Sequence, residues 1–127
     1  MHDRMSKIHV WIGNTEKSSD EFYNYFKINQ ADKDLGIGAS QFDKDLGINW
    51  YNDDFIGTFY NEESTDLEVL LDEIPTSPDS LGKIEKICID RKLDEVNAMF
   101  YYEDAELAVN DINKLYNGLQ YIGCFDN

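Results

Sequence analysis

The sequence predicts an α+β domain, and three observations carry that expectation. Stretches near residues 7–13, 96–102 and 119–125 read as strands, the first by its period-2 alternation and β-branched residues. Between them, apolar residues recur at helical spacing: Phe22/Tyr25/Phe26, Leu67/Leu70/Leu71/Ile74 and Leu81/Ile84/Ile87/Cys88. A chain of 127 residues, 42% hydrophobic and 13% aromatic, is one domain (1–127, core about 7–125) long enough to bury a real core. The expected architecture is a small sheet packed by several helices.

In chain order, Lys7–Ile12 is the first strand, closed by Gly13-Asn14. Ser18 or Ser19 then caps a helix, with Asp20 and Glu21 suited to its positive N-terminal end. The hexapeptide Asp32-Lys33-Asp34-Leu35-Gly36-Ile37 recurs at Asp43–Ile48, and two copies are too few for a solenoid. The first copy reads as a loop rich in glycine (Gly36, Gly38). The second ends a short helix capped by Ser40, with Gly47 as its left-handed stop. Ser64–Ile74 reads as a helix halted by Pro75, and a second helix runs to about Arg91. Val96–Tyr102 is the next strand. Ala105, Ala108, Val109, Ile112, Leu115 and Tyr116 then suggest a helix ending at Asn117-Gly118, before a last strand from Leu119 to Phe125. Strand, helix and strand in that order suggest a right-handed parallel crossover.

Charge is the strongest compositional signal. The formal net charge is −15, which disfavours direct nucleic-acid binding and favours basic protein partners, or none. Residues 43–79 hold eleven acids against Lys44 alone, and no lysine or arginine lies between Asp45 and Gly82. Lys83, Lys86, Arg91 and Lys92 could face this segment and partly neutralise it. Within it, Ser40–Tyr60 alternates aromatics with carboxylates more densely than any other stretch. Rigid aromatics anchor an interface and charges steer it. On the residues alone, a core of aromatics with a solvated acidic rim accounts for the same pattern.

Catalytic and metal chemistry leave little trace. Asp43-x-Asp45-x-Gly47 fails the calcium-loop register, because glycine falls at position 5 and aspartate at position 12. His2 and His9 have no evident metal or triad partner, and the phosphate-loop, dinucleotide and nucleophile-elbow patterns are absent. Cys88 and Cys124 lack metal spacing, and Cys88 falls on an apolar helix face as a small core residue. Without an apolar leader or a run of about 18 apolar residues, the expectation is a reduced, cytoplasmic protein with no cofactor and no catalytic residue.

Ser40–Ile48, followed by Trp50-Tyr51-Asn52-Asp53-Asp54-Phe55-Ile56, resembles the signature segment of the immunity protein 22 family. Val10-Trp11-Ile12-Gly13 and the Phe22/Tyr25/Phe26 helix are similar to that family's N-terminus. The chain departs from the pattern at Asn52, where the family's segment carries an acid. The resemblance implies a protein of bacterial polymorphic toxin systems that binds and neutralises a cognate toxin. Its partner would carry a basic cleft, as a nuclease does, and it would bind neither nucleic acid nor membrane itself. Candidate contacts are Asp45, Trp50, Tyr51, Asp53, Asp54 and Phe55, with Glu68, Asp72 and Glu73 as steering charges. Of the aromatics, Trp50 and Phe55 are the ones expected to support the core. Two other readings stand beside this one: an acidic mimic of nucleic acid that inhibits DNA-processing proteins, and a small ligand-binding domain.

Overall fold

Lys7–Gly13 (β1) is the middle strand of a five-stranded, wholly antiparallel sheet. The computed structural model describes residues 6–36, 39–48 and 50–127. His2, Ile37 at the end of the first hexapeptide copy, and Gly38, the second glycine of that expected loop, lie outside the described residues. Across the sheet the order is β2 (Ile56–Asp66), β3 (Glu95–Glu103), β1, β5 (Leu119–Asp126) and β4 (Leu115–Tyr116). All three predicted strands are present. The parallel crossover is not, because β1 inserts between β3 and β5 and pairs antiparallel with both.

Burial on both faces explains the sequence of β1. Ile8, Val10 and Ile12 point to an aliphatic layer built by α4 (Leu67–Leu71) and α5 (Pro78–Asp90), where Leu70, Ile84 and Cys88 are fully buried. Burial pushes the Cys88 thiol up to about 11, which makes it an inert core group. Trp11 points the other way, into an aromatic layer. It stacks on Phe100 with ring centroids 4.6 Å apart and meets Phe42 edge-on at 5.7 Å. Each large side chain buried in this way contributes about 2–3 kcal/mol.

The aromatic layer is closed by two short helices, with a third, none of whose residues is buried, between them in the chain; the boundaries of all three follow local chemistry. In α1 (Ser19–Asn24), Ser18 and Glu21 form a reciprocal capping box. Asn29 caps α2 (Gln30–Asp34), so the first hexapeptide copy is partly helical rather than all loop. Ser40 caps α3 (Gln41–Leu46) and Gly47 stops it in the left-handed conformation at φ 72°, as the sequence predicts.

Two further expectations are corrected. The Ser64–Ile74 helix shrinks to α4, because Ser64–Asp66 belongs to β2, which the sequence reading did not anticipate. Its apolar stripe is nonetheless right, since Leu67, Leu70, Leu71 and Ile74 are all buried. Near its end β2 bulges, so that Asn61–Ser64 stand opposite Asn97 alone.

The predicted helix across 105–116 does not form. Asp104 and Asp111 instead accept bonds from the backbone N–H groups of Glu106, Asn113 and Lys114, which fixes turns. Asn117-Gly118 is the two-residue turn of the β4–β5 hairpin, both residues having positive φ (56° and 81°).

Gly118→Ala tests the hairpin assignment. A β-carbon there would be strained by its φ of +81° and would sit 3.1 Å from Thr15 Oγ1. The expected loss is about 1–2 kcal/mol in chemical denaturation. A helix-ending residue free of that contact would show a smaller loss.

Candidate groove beside Trp50

The signature segment leaves α3 and crosses the edge of the aromatic layer, so its side chains divide between core and surface. Phe42 is fully buried among Trp11, Phe26, Tyr51 and Phe100. Asp43 is also fully buried; its Oδ2 accepts from Ser40 Oγ at 2.9 Å, and burial pushes its carboxyl above the usual range. It therefore completes a helix cap.

The nine candidate contacts do not share one environment. Tyr51 is buried and donates its hydroxyl to the Phe26 carbonyl at 2.6 Å, so it locks the segment to the turn that follows α1. Phe55 is half-buried against the same layer. Trp50, expected as a core support, is instead 47% exposed, with Lys33 Nζ 4.8 Å above its ring. The physical reason is competition for space: Tyr51 fills the site against Phe42 and Tyr102, which leaves its neighbour outside. Asp45 is held by three partners. Tyr25 donates to it at 2.6 Å, Gln41 at 3.0 Å, and Lys114 pairs with it at 3.3 Å. Asp53 and Asp54 are exposed on a single 3-10 turn, which Asn52 caps by accepting from the Asp54 N–H. The residue that departs from the family pattern thus has a local role that an acid could also fill.

Glu68 is exposed on α4, and Asp72 and Glu73 are exposed in the turn that ends it, on the aliphatic side of the sheet. Glu68 and Asp72 line a furrow of about 270 Å³ with Leu71, Leu81 and Glu85. Here α5 turns an acid, not a base, toward α4. Among the described residues the ion pairs are Lys7–Asp126 and Lys114–Asp45, so the basic residues of α5 do not neutralise the acidic segment by direct pairing. Arg91 instead donates to the Tyr121 carbonyl at 2.9 Å.

Beside Trp50 lies a groove of about 350 Å³. One wall is the signature segment, with Leu46, Gly47 and Ile48. The other is the loop after β3, with Asp104, Glu106, Leu107 and Ala108. The helical spacing across 105–116 hides this second wall in the sequence; the turn formers Asp104, Asn110-Asp111 and Asn113 are the signal that marks it. The wall hangs from His9. This imidazole is buried, its Nε2–H donates to the Asp104 carbonyl at 3.0 Å, and its Nδ1 accepts from the Tyr121 hydroxyl at 2.8 Å. Burial holds its pKa below the ordinary histidine value. Among the described residues no cluster of three or more His, Cys, Asp or Glu side chains is arranged to hold a metal. No described helix is long and apolar enough to cross a membrane.

Because folding depresses the His9 pKa, the unfolded chain takes up the proton first as pH falls. The resulting stability is complete above about pH 6.5 and is lost as pH drops toward the folded pKa, at up to about 1.4 kcal/mol per pH unit. Urea midpoints of the native chain and of His9→Gln, each at several pH values, check this. The variant should lose less stability on acidification, and since Asp43 titrates in both proteins, the difference isolates the imidazole.

A family model described as Immunity protein 22 matches residues 8–127, nearly the whole chain. No curated protein and no solved structure matches it.

Proposed function

The chain belongs to the immunity protein 22 family, and we propose that it binds and neutralises a cognate toxin, acting as a stoichiometric inhibitor with no catalysis of its own. The observation that carries the choice of surface is Trp50, a half-exposed indole three and four residues ahead of the exposed acids Asp53 and Asp54 in the chain. An exposed tryptophan is costly to leave in water and is a preferred anchor once a partner covers it. The partner is then a toxin with a basic cleft, and a nuclease has one because it must hold phosphates. Docking over that cleft would keep substrate out. The protein itself would bind neither nucleic acid nor membrane and would act in the cytoplasm.

The remaining candidates take graded roles in this reading. Trp50 is the anchor, and Asp53 and Asp54, on the turn that follows it in the chain, are the charges. Tyr51 and Phe55 hold the segment in place from beneath, and Asp45 ties α3 to the loop before β4 through Lys114. Glu68, Asp72 and Glu73, on the other layer, act at longer range. They raise the association rate without touching the partner, and that contribution fades as salt rises.

Capture of the toxin from source cells at rising salt, followed by co-expression with it in a sensitive host, tests the role. One dominant partner, whose killing is suppressed by this chain, is the expected result; many basic proteins released together at modest salt would point to a nucleic-acid mimic instead. Against the isolated toxin, Trp50→Ala should cost at least about 2 kcal/mol in affinity. For the Asp53→Ala/Asp54→Ala double variant, a change within about twofold, or roughly 0.5 kcal/mol, removes those two from the contact.

A further inference from the structure

The furrow between α4 and α5 is longer than its first hollow, because a second one of about 260 Å³ continues it and shares Glu68 and Glu85 with the first. One end is lined by Leu71, Leu81 and Gly82, the other by Leu67 and Ile89. Ile89 is 57% exposed, so apolar surface in the furrow stands open to water. Asp66, Glu68, Asp72 and Glu85 add carboxylates, and among the described residues no lysine or arginine lines either hollow or pairs with any of the four. Gly82 is the informative residue. It lies inside α5, where glycine weakens a helix relative to alanine. A β-carbon there would meet nothing within 4 Å, so no neighbour in the described molecule requires the glycine. The missing side chain instead leaves bare helix backbone in the furrow wall, open to close approach by another chain.

We propose that the furrow is a docking site for a helix of a second protein partner, with an apolar stripe facing the furrow and lysine or arginine along both its borders. Charge complementarity selects those borders: an acidic helix is repelled, and a purely apolar one covers four carboxylates with nothing to pair them. The shape selects a helix. Gly82, Glu85 and Ile89 stand at i, i+3 and i+7 along one face of α5, a wall about 10 Å long that matches two turns of a helix laid in a groove. The furrow belongs to the aliphatic layer and shares no residue with the groove beside Trp50, so it is a site separate from the surface proposed for the toxin.

The probe is an alanine-based helical peptide with a leucine stripe and lysine on either side of it, titrated into the full, isotope-labelled chain. One comparison peptide carries glutamate in place of lysine; the other has a central proline, which breaks the helix and keeps the charge. The expected result is a saturable shift of backbone signals at Leu71, Gly82, Glu85 and Ile89, with both comparison peptides about tenfold weaker or worse. Gly82→Gln gives a second readout. Glutamine is the better helix former, so the urea midpoint should rise, while its side chain fills the open approach and weakens the lysine peptide about tenfold. Lost binding in a stabilised protein is not a folding defect. Glu68→Gln/Glu85→Gln should weaken the peptide several-fold and flatten its salt dependence.

Four outcomes overturn the inference: no saturable shift, equal binding of the proline peptide, shifts as large around Asp53 and Asp54 as along the furrow, or a stabilised Gly82→Gln chain that binds the lysine peptide unchanged. If the peptide fails while Trp50→Ala still destroys protection against the toxin, the furrow reading falls and the toxin reading stands. If the peptide binds as expected but the Trp50→Ala chain protects fully, the reading of the Trp50 surface falls alone.

Discussion

The stack of Trp11 on Phe100, with Ile8, Val10 and Ile12 on the reverse side of the same strand, is the constraint on which the rest of the molecule depends. A strand buried on both faces needs a layer on each side, and the two layers here differ in character. The aliphatic one is supplied by two helices whose stripes are evident at helical spacing. The aromatic one is supplied by short helices and loops, held by edge-on ring contacts such as Phe26–Phe100 and Phe42–Phe100. This packing has a cost, since the Trp11 indole N–H is buried without a hydrogen-bond partner. The surrounding rings outweigh it.

A core of this weight allows the surface to be chosen for charge rather than stability. Glu68 and Glu85 line the same furrow between α4 and α5 with no base between them, and Asp53 and Asp54 are consecutive on one turn. Such neighbours repel and lower stability by small amounts each. Glu68, Asp53 and Asp54 lie in the stretch devoid of lysine and arginine, which fits a surface whose compensating charge arrives with a partner.

Much of this organisation was legible in the sequence where one local rule acted alone. Ser40 and Gly47 bracket α3 because a cap and a left-handed stop are decided within a few residues. The stripe from Leu67 to Ile74 survives even though the helix is shorter than its pattern, because spacing reports the buried face rather than the end points. The failures arise where two rules compete. Ala105 to Tyr116 has helical spacing, yet Asp104 and Asp111 bond to the backbone ahead of them, and Ile112 and Leu115 finish 60% and 58% exposed. β2 was hidden because Phe59 serves one layer while Ile56 and Tyr60 serve the other, so no simple alternation marks it. At the candidate site, adjacent Trp50 and Tyr51 are equivalent by type, and only the packing around Phe42 decides which of them is core. The groove is further from view because its second wall lies about 55 residues downstream.

The bulge that closes β2 has a consequence for how copies of this chain behave in a crowded cell. An open sheet edge invites another edge to add to it, the first step toward fibres and mixed aggregates. Here the ladder is broken at Asn61–Ser64, where Glu62 and Glu63 stand exposed. Two such margins brought together would oppose four carboxylates across an already interrupted ladder. The feature therefore discriminates by sign: it disfavours its own kind and other acidic chains relative to a neutral or positively charged strand.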